Sequence, residues 1–467
     1  MVRINPEIFR AYDIRGLADK DLPPEVAFLF GRAAGRYFLA QNERQVLVGR
    51  DNRLSSKRIR DQLISGLATA GCRVVDLGEV ITPLLYYARE RLKINAAIMI
   101  TASHNPPEFN GFKVALGPAT IHGEEIQRLY HLMEELKGEV PPEIPSPRAD
   151  QVEEGELRAD YLQMLTEKIQ LGPRNLKVVV DCGNGTASLF AEEYFTRLGC
   201  EVIPLFCTSD GSFPHHQPDP VESANLVALR ETVLREGADL GIGFDGDGDR
   251  LGIVDNKGEI IWGDRLMILY WREILPKYPG ATCIVEVKCS QALVDEIKRL
   301  GGKAIFYKTG HSLIKAKMRE VGAVFTGEMS GHMFFADEYY GFDDAFYAAG
   351  RLLRLLSHGD QSLNQLLADV PRYYATAETR VGCPDHAKFN VVDRIRQSFQ
   401  KTHEVIDIDG VRVLFPDGWG LVRASNTQPV IVARCEAKTA ETLEEITKEI
   451  KDALCAFPDV EDFEWAK

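Results

Sequence analysis

Short apolar runs of strand type alternate with helical stretches along most of this chain, and that alternation restricts its fold more than any other feature. In the first third, VLVG at Val46–Gly49 precedes Ile59, Leu63 and Leu67 at helical spacing, with Gly71 as a stop. RVVDLG follows from Arg73, then a helix read with Thr82 as its cap and Pro83 at its first position, then AAIMI at Ala96–Ile100. That order predicts βαβ units around a buried, largely parallel sheet. The alternation restarts at KVVVD (Lys177–Asp181), EVIPLF (Glu201–Phe206) and DLGIGFD (Asp239–Asp245), and again at CIVEV (Cys283–Val287), KAIFY (Lys303–Tyr307) and AVFTGE (Ala323–Glu328). Past Pro371 the pattern becomes α+β: a helix-like stretch at Ala387–Gln400, the strand-like VIDIDGVRVLF, LVRAS and PVIVARCEA, and a helix from Thr439. PPEIPSPRAD, Pro141–Asp150, holds four prolines in seven residues and reads as a linker. Four domains are expected, at 1–148, 149–257, 258–370 and 371–467.

Composition narrows the function classes. The 467 residues are 45% hydrophobic and 27% charged, ordinary values for a globular protein, and the formal net charge is −14. Nothing in that balance draws the chain to nucleic acid or to an anionic membrane, so an anionic ligand must meet local basic residues. Nine scattered cysteines, none with a two-residue zinc or redox spacing, read as reduced thiols of a cytoplasmic protein. The first 16 residues carry Arg3, Glu7, Arg10, Asp13 and Arg15 with no apolar run, and no 18-residue apolar stretch occurs, so neither a signal peptide nor a membrane span is expected.

Four polar loops follow predicted strands. TASHNPPEFNGFK, Thr101–Lys113, begins at the carboxyl end of a strand, where doubly wound sheets bind ligands, although its turn residues also suit a plain surface loop. Ser103 beside His104 does not read as a hydrolase pair, because neighbours on an extended chain point apart and no GxSxG elbow surrounds the serine. GFDGDGDR, Gly243–Arg250, packs Asp245, Asp247 and Asp249 into five residues, and three such carboxylates repel unless a hard cation such as Mg²⁺ or Ca²⁺ neutralises them. An EF-hand would need Gly and Glu where Arg250 and Asn256 stand. GIGFDG formally matches a dinucleotide motif, but the residues after it read as another strand, and DCGNGTAS, Asp181–Ser188, reads mainly as a strand-to-helix turn.

GEMSGH, Gly327–His332, sets Glu328 and Ser330 two apart, a spacing suited to sugar hydroxyls as well as to a solvated loop. RASNTQP groups Arg423, Ser425, Asn426 and Thr427 as a compact phosphate clamp or a polar hairpin tip, with no acid among them. One shared cleft would collect all four loops, with Arg15, Lys288, Lys308 and His311 also lining it.

Taken together, FRAYDIRG (Phe9–Gly16), TASHNPPEFNGFK, GFDGDGDR, GEMSGH and RASNTQP resemble, in order and spacing, the signatures of the α-D-phosphohexomutases, in particular the bacterial phosphomannomutase/phosphoglucomutase group, over essentially the whole chain. The resemblance implies three related doubly wound, mixed-sheet α/β domains plus a smaller C-terminal α+β domain around a central cleft. It implies that Ser103 is the phosphorylated serine and a ligand, with Asp245, Asp247 and Asp249, of Mg²⁺. It places Arg15, Lys113, Arg250 and His311 with Ser103 in the catalytic set, Lys113 and His311 being the acid/base candidates. Substrate contacts are expected from Tyr12, Lys288, His311, Glu328 and Ser330, and a phosphate clamp from Arg423, Ser425, Asn426 and Thr427. Small-molecule hexose phosphates are the implied partners, and a hexose 1,6-bisphosphate is the implied intermediate and activator. Met329 stands where phosphoglucosamine mutases usually carry Gln, which favours glucose and mannose phosphates over that alternative. A non-catalytic Ca²⁺ module would explain the aspartate loop alone.

Overall fold

A computed structural model describes residues 2–425 and 428–466. The chain divides into two compact units, one of residues 1–263 and 330–366, the other of residues 264–329 and 367–467. Among the described residues no helix is long and apolar enough to cross a membrane.

The first unit contains two α/β sheets. Strands β1 (Ile14–Leu17), β2 (Gln45–Arg50), β3 (Arg73–Glu79), β4 (Ala96–Ile100), β5 (Phe109–Leu116), β6 (Ala119–Thr120) and β7 (Val152–Glu154) form a sheet in the order β1-β5-β4-β2-β3-β7, with β6 on β5. Pairing is parallel from β4 through β2 and β3 to β7, and antiparallel where β5 meets β1, β4 and β6. The sheet is therefore mixed. AAIMI is buried along its whole length, as a central strand covered on both faces must be.

Helix α1 (Pro24–Leu39) packs on α2 (Ser56–Ala70) through two glycines, since a Cβ on Gly31 would lie 2.3 Å from the Leu63 carbonyl oxygen and one on Gly66 2.1 Å from that of Phe28. Gly71, at φ 102°, closes α2 as expected from the sequence. The crossover from β2 runs through α2 to β3, whereas that from β3 runs through α3 (Thr82–Leu92) back past β2 to β4. The carboxyl ends of β2 and β4 therefore flank a topological switch point, the usual ligand position in such sheets.

The proline-rich segment lies inside this unit, and β7, immediately after it, extends the first sheet beyond residue 148. The second sheet is β12-β11-β10-β8-β9, from β8 (Lys177–Asp181), β9 (Glu201–Leu205), β10 (Leu240–Phe244), β11 (Leu251–Asp255) and β12 (Ile260–Ile261). β10 and β11 are antiparallel and wholly buried, and Asp245–Arg250 is the loop between them. A strand therefore follows GIGFDG, where a dinucleotide site would need a helix.

In the second unit β13 (Thr282–Glu286) and β14 (Lys303–Tyr307) pair in parallel, with helices Gln291–Arg299 and His311–Val321 after them and the short β15 (Phe325–Gly327) following. The C-terminal part is a largely antiparallel sheet built on strands 411–415, 418–424 and 430–437. Helices Asp385–Phe399 and Ala440–Cys455 cover it, their buried Val391, Ile395, Ile446 and Ile450 sharing one core with Val413 and Val422. Thr439 caps the last helix by accepting from the Thr442 amide.

Candidate active site

In the first unit Ser103 sits three residues past the end of β4 with φ 51°, a left-handed conformation that costs a non-glycine residue about 1 kcal/mol or more. This corrects the extended-chain reading of the Ser103–His104 pair: the twist brings His104 Nδ1 within 3.2 Å of Ser103 Oγ. The hydroxyl itself donates to Asp245 Oδ2 at 2.6 Å. The strain is held by wiring that sequence reading missed. Arg53, on the loop after β2 and inaccessible to solvent, donates to the carbonyl oxygens of Ser103 (2.8 Å), Asn105 (2.6 Å), Pro106 (2.5 Å) and Phe109 (3.1 Å), and its Nε bonds Asp51 at 3.1 Å. Only a forked guanidinium reaches so many acceptors at once. Arg15 joins the same loop, donating to Asn105 Oδ1 at 2.6 Å and pairing with Asp13.

The aspartate loop approaches from β10. A Cβ on Gly246 would lie 2.4 Å from the Ser103 carbonyl oxygen, so glycine is what lets the two loops touch. Asp245, Asp247 and Asp249 are wholly buried, and one oxygen of each lies within 4.8 Å of the others. Lys113, on β5, reaches Asp247 at 2.7 Å and Asp249 at 2.5 Å. Burial together with the Asp247 and Asp249 charges pushes the Asp245 carboxyl well above its ordinary value. Burial acts the same way on Asp247, but Lys113 and a hydrogen bond from Thr82 outweigh it and hold that carboxyl low. Thr82 Oγ1 donates to Asp247 Oδ2 at 2.7 Å. Thr82 is thus not the helix cap expected from the sequence: Ile81 occupies that position, and the threonine hydroxyl is spent on the aspartate loop.

Arg250 donates through Nε to His332 Nε2 at 2.9 Å. Arginine never accepts, so His332 carries its proton on Nδ1, which lies 3.1 Å from Asp343 Oδ2 and 3.5 Å from Asp249 Oδ1. His332, at the end of GEMSGH, and Asp343 were not among the expected site residues. Ser330 lies in this unit too, so the division between the units falls between Met329 and Ser330, inside the motif. Tyr12 is half-buried.

In the second unit Glu328 Oε1 accepts from the Gly310 amide at 2.7 Å, tying GEMSGH to KTGHS, whose His311 is buried at the start of the following helix. Lys308 is exposed. Lys288 pairs with Glu378 at 2.8 Å and stands 3.9 Å from Glu286, a fully buried carboxylate that also accepts from Thr309 Oγ1. Burial pushes Glu286 up, whereas Glu378, though burial also pushes it up, is held at about 2 by Lys288, Arg380 and Arg423. The clamp loop is not acid-free in space: Arg423 Nε donates to Asp409 at 3.0 Å, and the same carboxylate accepts from the Thr309 amide at 3.1 Å. Ser425 Oγ accepts from the Gln428 amide, and Asn426 and Thr427 lie outside the described residues.

Profiles described as phosphoglucomutase/phosphomannomutase, alpha/beta/alpha domains I, II and III, and C-terminal domain, match residues 6–139, 159–258, 262–374 and 378–453. The chain belongs to the phosphoglucomutase/phosphomannomutase family. It is 46% identical over 440 residues to a phosphomannomutase/phosphoglucomutase of Pseudomonas putida, covering 94% of this chain and 93% of that one. It is 39% identical over 463 residues to a phosphoglucomutase of Neisseria meningitidis, covering 98% and 99%. A crystal structure of a phosphoglucomutase/phosphomannomutase family protein from Burkholderia thailandensis superimposes with a TM-score of 0.89 at 41% identity, covering 97% of this chain and 98% of that one. The four-domain architecture of the family is therefore that of this chain, and Asp245, Asp247 and Asp249 form a buried oxygen-rich cluster in it.

Arg53, Asp343 and the site role of Thr82, which reads locally as a helix cap, carry little local signal. Each acts through a partner 50 or more residues away or belongs to no polar motif, and only Arg53 carried a usable signal, since DNR follows directly on strand QVLVGR.

Proposed function

We propose that this phosphohexomutase moves a phosphoryl group between the 1- and 6-positions of glucose and mannose phosphates, with Ser103 as the carrier. The observation that bears most of this reading is the 2.6 Å hydrogen bond from Ser103 Oγ to Asp245 in a buried cluster of three carboxylates. The donor set suits a hard divalent cation: all ligand atoms are oxygens, the three carboxylates are buried, and Asp247 Oδ1 has no hydrogen-bond partner among the described residues. Asp245, Asp247, Asp249 and phosphorylated Ser103 would hold Mg²⁺, which supplies charge neutralisation and orientation at the phosphoryl oxygens.

The chain's own groups do the rest. Arg53 and the twist at Ser103 present Oγ in one position, so little reorganisation is needed as phosphate arrives or leaves. Lys113 and Arg250 place positive charge beside a phosphoryl group passing through a loose transition state, which needs positioning more than covalent help. His332, whose Nδ1 lies 3.1 Å from Asp343, accepts from Arg250 Nε and so orients the guanidinium. Lys113 and His311 are assigned the proton transfers at the attacking and leaving sugar hydroxyls. Glu328 and Ser330 are assigned the sugar hydroxyls, with Tyr12 and Lys288 as further substrate contacts. Arg423 with Ser425, Asn426 and Thr427 is assigned the non-reacting phosphate, and Arg15, bonded to Asn105 of the serine loop, is assigned to the catalytic set. A hexose 1,6-bisphosphate is the intermediate: it forms when Ser103 gives up its phosphoryl group, turns around, and returns the other one.

The test is to incubate the protein with glucose 1,6-bisphosphate and map the phosphate, alongside activity on glucose, mannose and glucosamine 1-phosphates. Phosphate on Ser103 with turnover of the glucose and mannose substrates is expected. Phosphate on another residue overturns the carrier assignment, and turnover of glucosamine 1-phosphate alone overturns the substrate assignment.

A further inference from the structure

Two of the nine cysteines meet at the edge of the machinery just described. Cys182 follows directly on β8 and Cys207 lies two residues past its parallel neighbour β9, and the Cys182 amide bonds the Leu205 carbonyl oxygen at 3.1 Å. Phe206, at φ 51°, then turns the chain back, which sets Cys207 Sγ 3.1 Å from Cys182 Sγ. Both thiols are free; Cys182 is buried and Cys207 is partly exposed. A disulfide needs an S–S distance of about 2.05 Å, so closure asks for a movement on the order of 1 Å.

What gives the pair meaning is where the two chain segments lead. From Cys182, the turn continues to Thr186, whose amide bonds the Gly246 carbonyl oxygen at 2.9 Å inside the aspartate loop, and to Asn184, whose amide bonds the Phe206 carbonyl oxygen at 2.9 Å. From Cys207, the loop carries Phe213, whose ring lies 5.1 Å from the Arg53 guanidinium, and Gln217, which donates to the His104 carbonyl oxygen next to Ser103. His216 in the same loop bonds Asp181 at 3.1 Å, one residue before Cys182. Pulling the two sulfurs together therefore shifts both segments that back the Ser103 and aspartate loops.

We propose that Cys182 and Cys207 form a reversible disulfide, a modification site that slows phosphoryl transfer by displacing the loops that hold Ser103. The oxidant is hydrogen peroxide. Cys207, the exposed member, attacks as thiolate on the outer peroxide oxygen; the O–O bond breaks, water leaves after protonation, and Cys207 becomes a sulfenic acid. Cys182 sulfur then attacks Cys207 sulfur, the S–O bond breaks, and the departing oxygen takes the Cys182 proton and leaves as a second water. Two thiols have lost two electrons and the peroxide has gained them; a dithiol reverses the change. Burial pushes the Cys182 thiol well up, and its lack of exposure leaves Cys207 as the member that meets peroxide first.

The experiment treats the full chain with hydrogen peroxide, blocks remaining thiols, and maps cross-linked peptides, with glucose 1-phosphate turnover measured before oxidation, after it, and after dithiothreitol. A Cys182–Cys207 peptide is expected, with turnover reduced roughly tenfold and restored by the dithiol. Cys207→Ser and Cys207→Ala should keep the basal turnover and lose the reversible response. Absence of the linked peptide, a linked peptide with unchanged turnover, or the same reversible loss in both Cys207 variants overturns the proposal. The activity readout rests on the mutase reading, but the peptide map does not: a chain inactive before oxidation refutes that reading, and the linkage still decides the thiol pair.

Discussion

The two units treat buried charge differently. In the first, three inaccessible carboxylates cluster with Lys113 at hydrogen-bond distance from two of them, Asp247 and Asp249, and with Arg250 only 4.0 Å from the third, Asp245, and the serine beside them sits in a strained conformation. In the second, Lys288 answers Glu378 and Arg423 answers Asp409, with the backbone relaxed into strands and helix starts. Uncompensated charge and strain are tolerable only where a ligand or ion completes the site, whereas paired charges are complete already and serve as fixed hydrogen-bonding surface. The phosphoryl carrier and the cation site are thus expected to reside in the first unit, while the second supplies fixed polar groups for the proposed reaction, His311 among them.

The largest test of that contrast removes the cation. Chelator, or Asp245→Asn, should lower turnover by about 10³-fold or more, near 4 kcal/mol of barrier, while leaving the thermal midpoint of the second unit unchanged. Full turnover in excess chelator would show that Lys113 alone balances the cluster.

Next in size is Arg53→Met. Four loop carbonyls lose their donor, so about 3–4 kcal/mol of stability and most of the turnover should be lost together, and Arg53→Lys should not rescue either, since a point charge cannot serve the fork. Wild-type turnover in Arg53→Lys would mean that Ser103 keeps its twist without this support.

In the second unit Glu378→Gln should cost about 3 kcal/mol at neutral pH by leaving Lys288 buried beside a weaker partner. The sign follows from the depressed pKa: Glu378 ordinarily titrates near 4.5 and here at about 2, so its contribution is present above 4.5 and lost as pH falls toward 2. Denaturant midpoints of wild type and variant should therefore converge on acidification through that window. A difference independent of pH would mean packing, not charge, is what the variant removes.

Smallest is Thr82→Val, which deletes one hydrogen bond to Asp247 and keeps the shape. Turnover should fall roughly fivefold, about 1 kcal/mol, with the helix intact by circular dichroism because Thr82 does not cap it. A loss of helix content instead would restore the capping role.

Much of this was readable in advance. Strands AAIMI, KVVVD and CIVEV, the stop at Gly71 and the cap at Thr439 depend on periodicity and local backbone geometry, which a few neighbouring residues encode. Thr82 shows where that logic fails: Thr-Pro before an apolar run is a good capping signal, yet a buried carboxylate 165 residues away competes for the hydroxyl and wins. Arg423 likewise looked free of acids in its own loop and is met by Asp409 from another turn.

The sequence by itself therefore determined the strand–helix alternation, the polar loops at strand ends and the family to which they belong, because each is written in residues close together on the chain. Only the tertiary structure decided which of those polar groups touch. Ser103 takes a left-handed twist because Arg53 gathers the carbonyls around it, and it faces Asp245 from 142 residues away because Gly246 leaves room for the approach. Electrostatic and hydrogen-bond partners act through space with no period in sequence, so the pairings that bring the site together exist only once the sheets have brought their strand ends side by side.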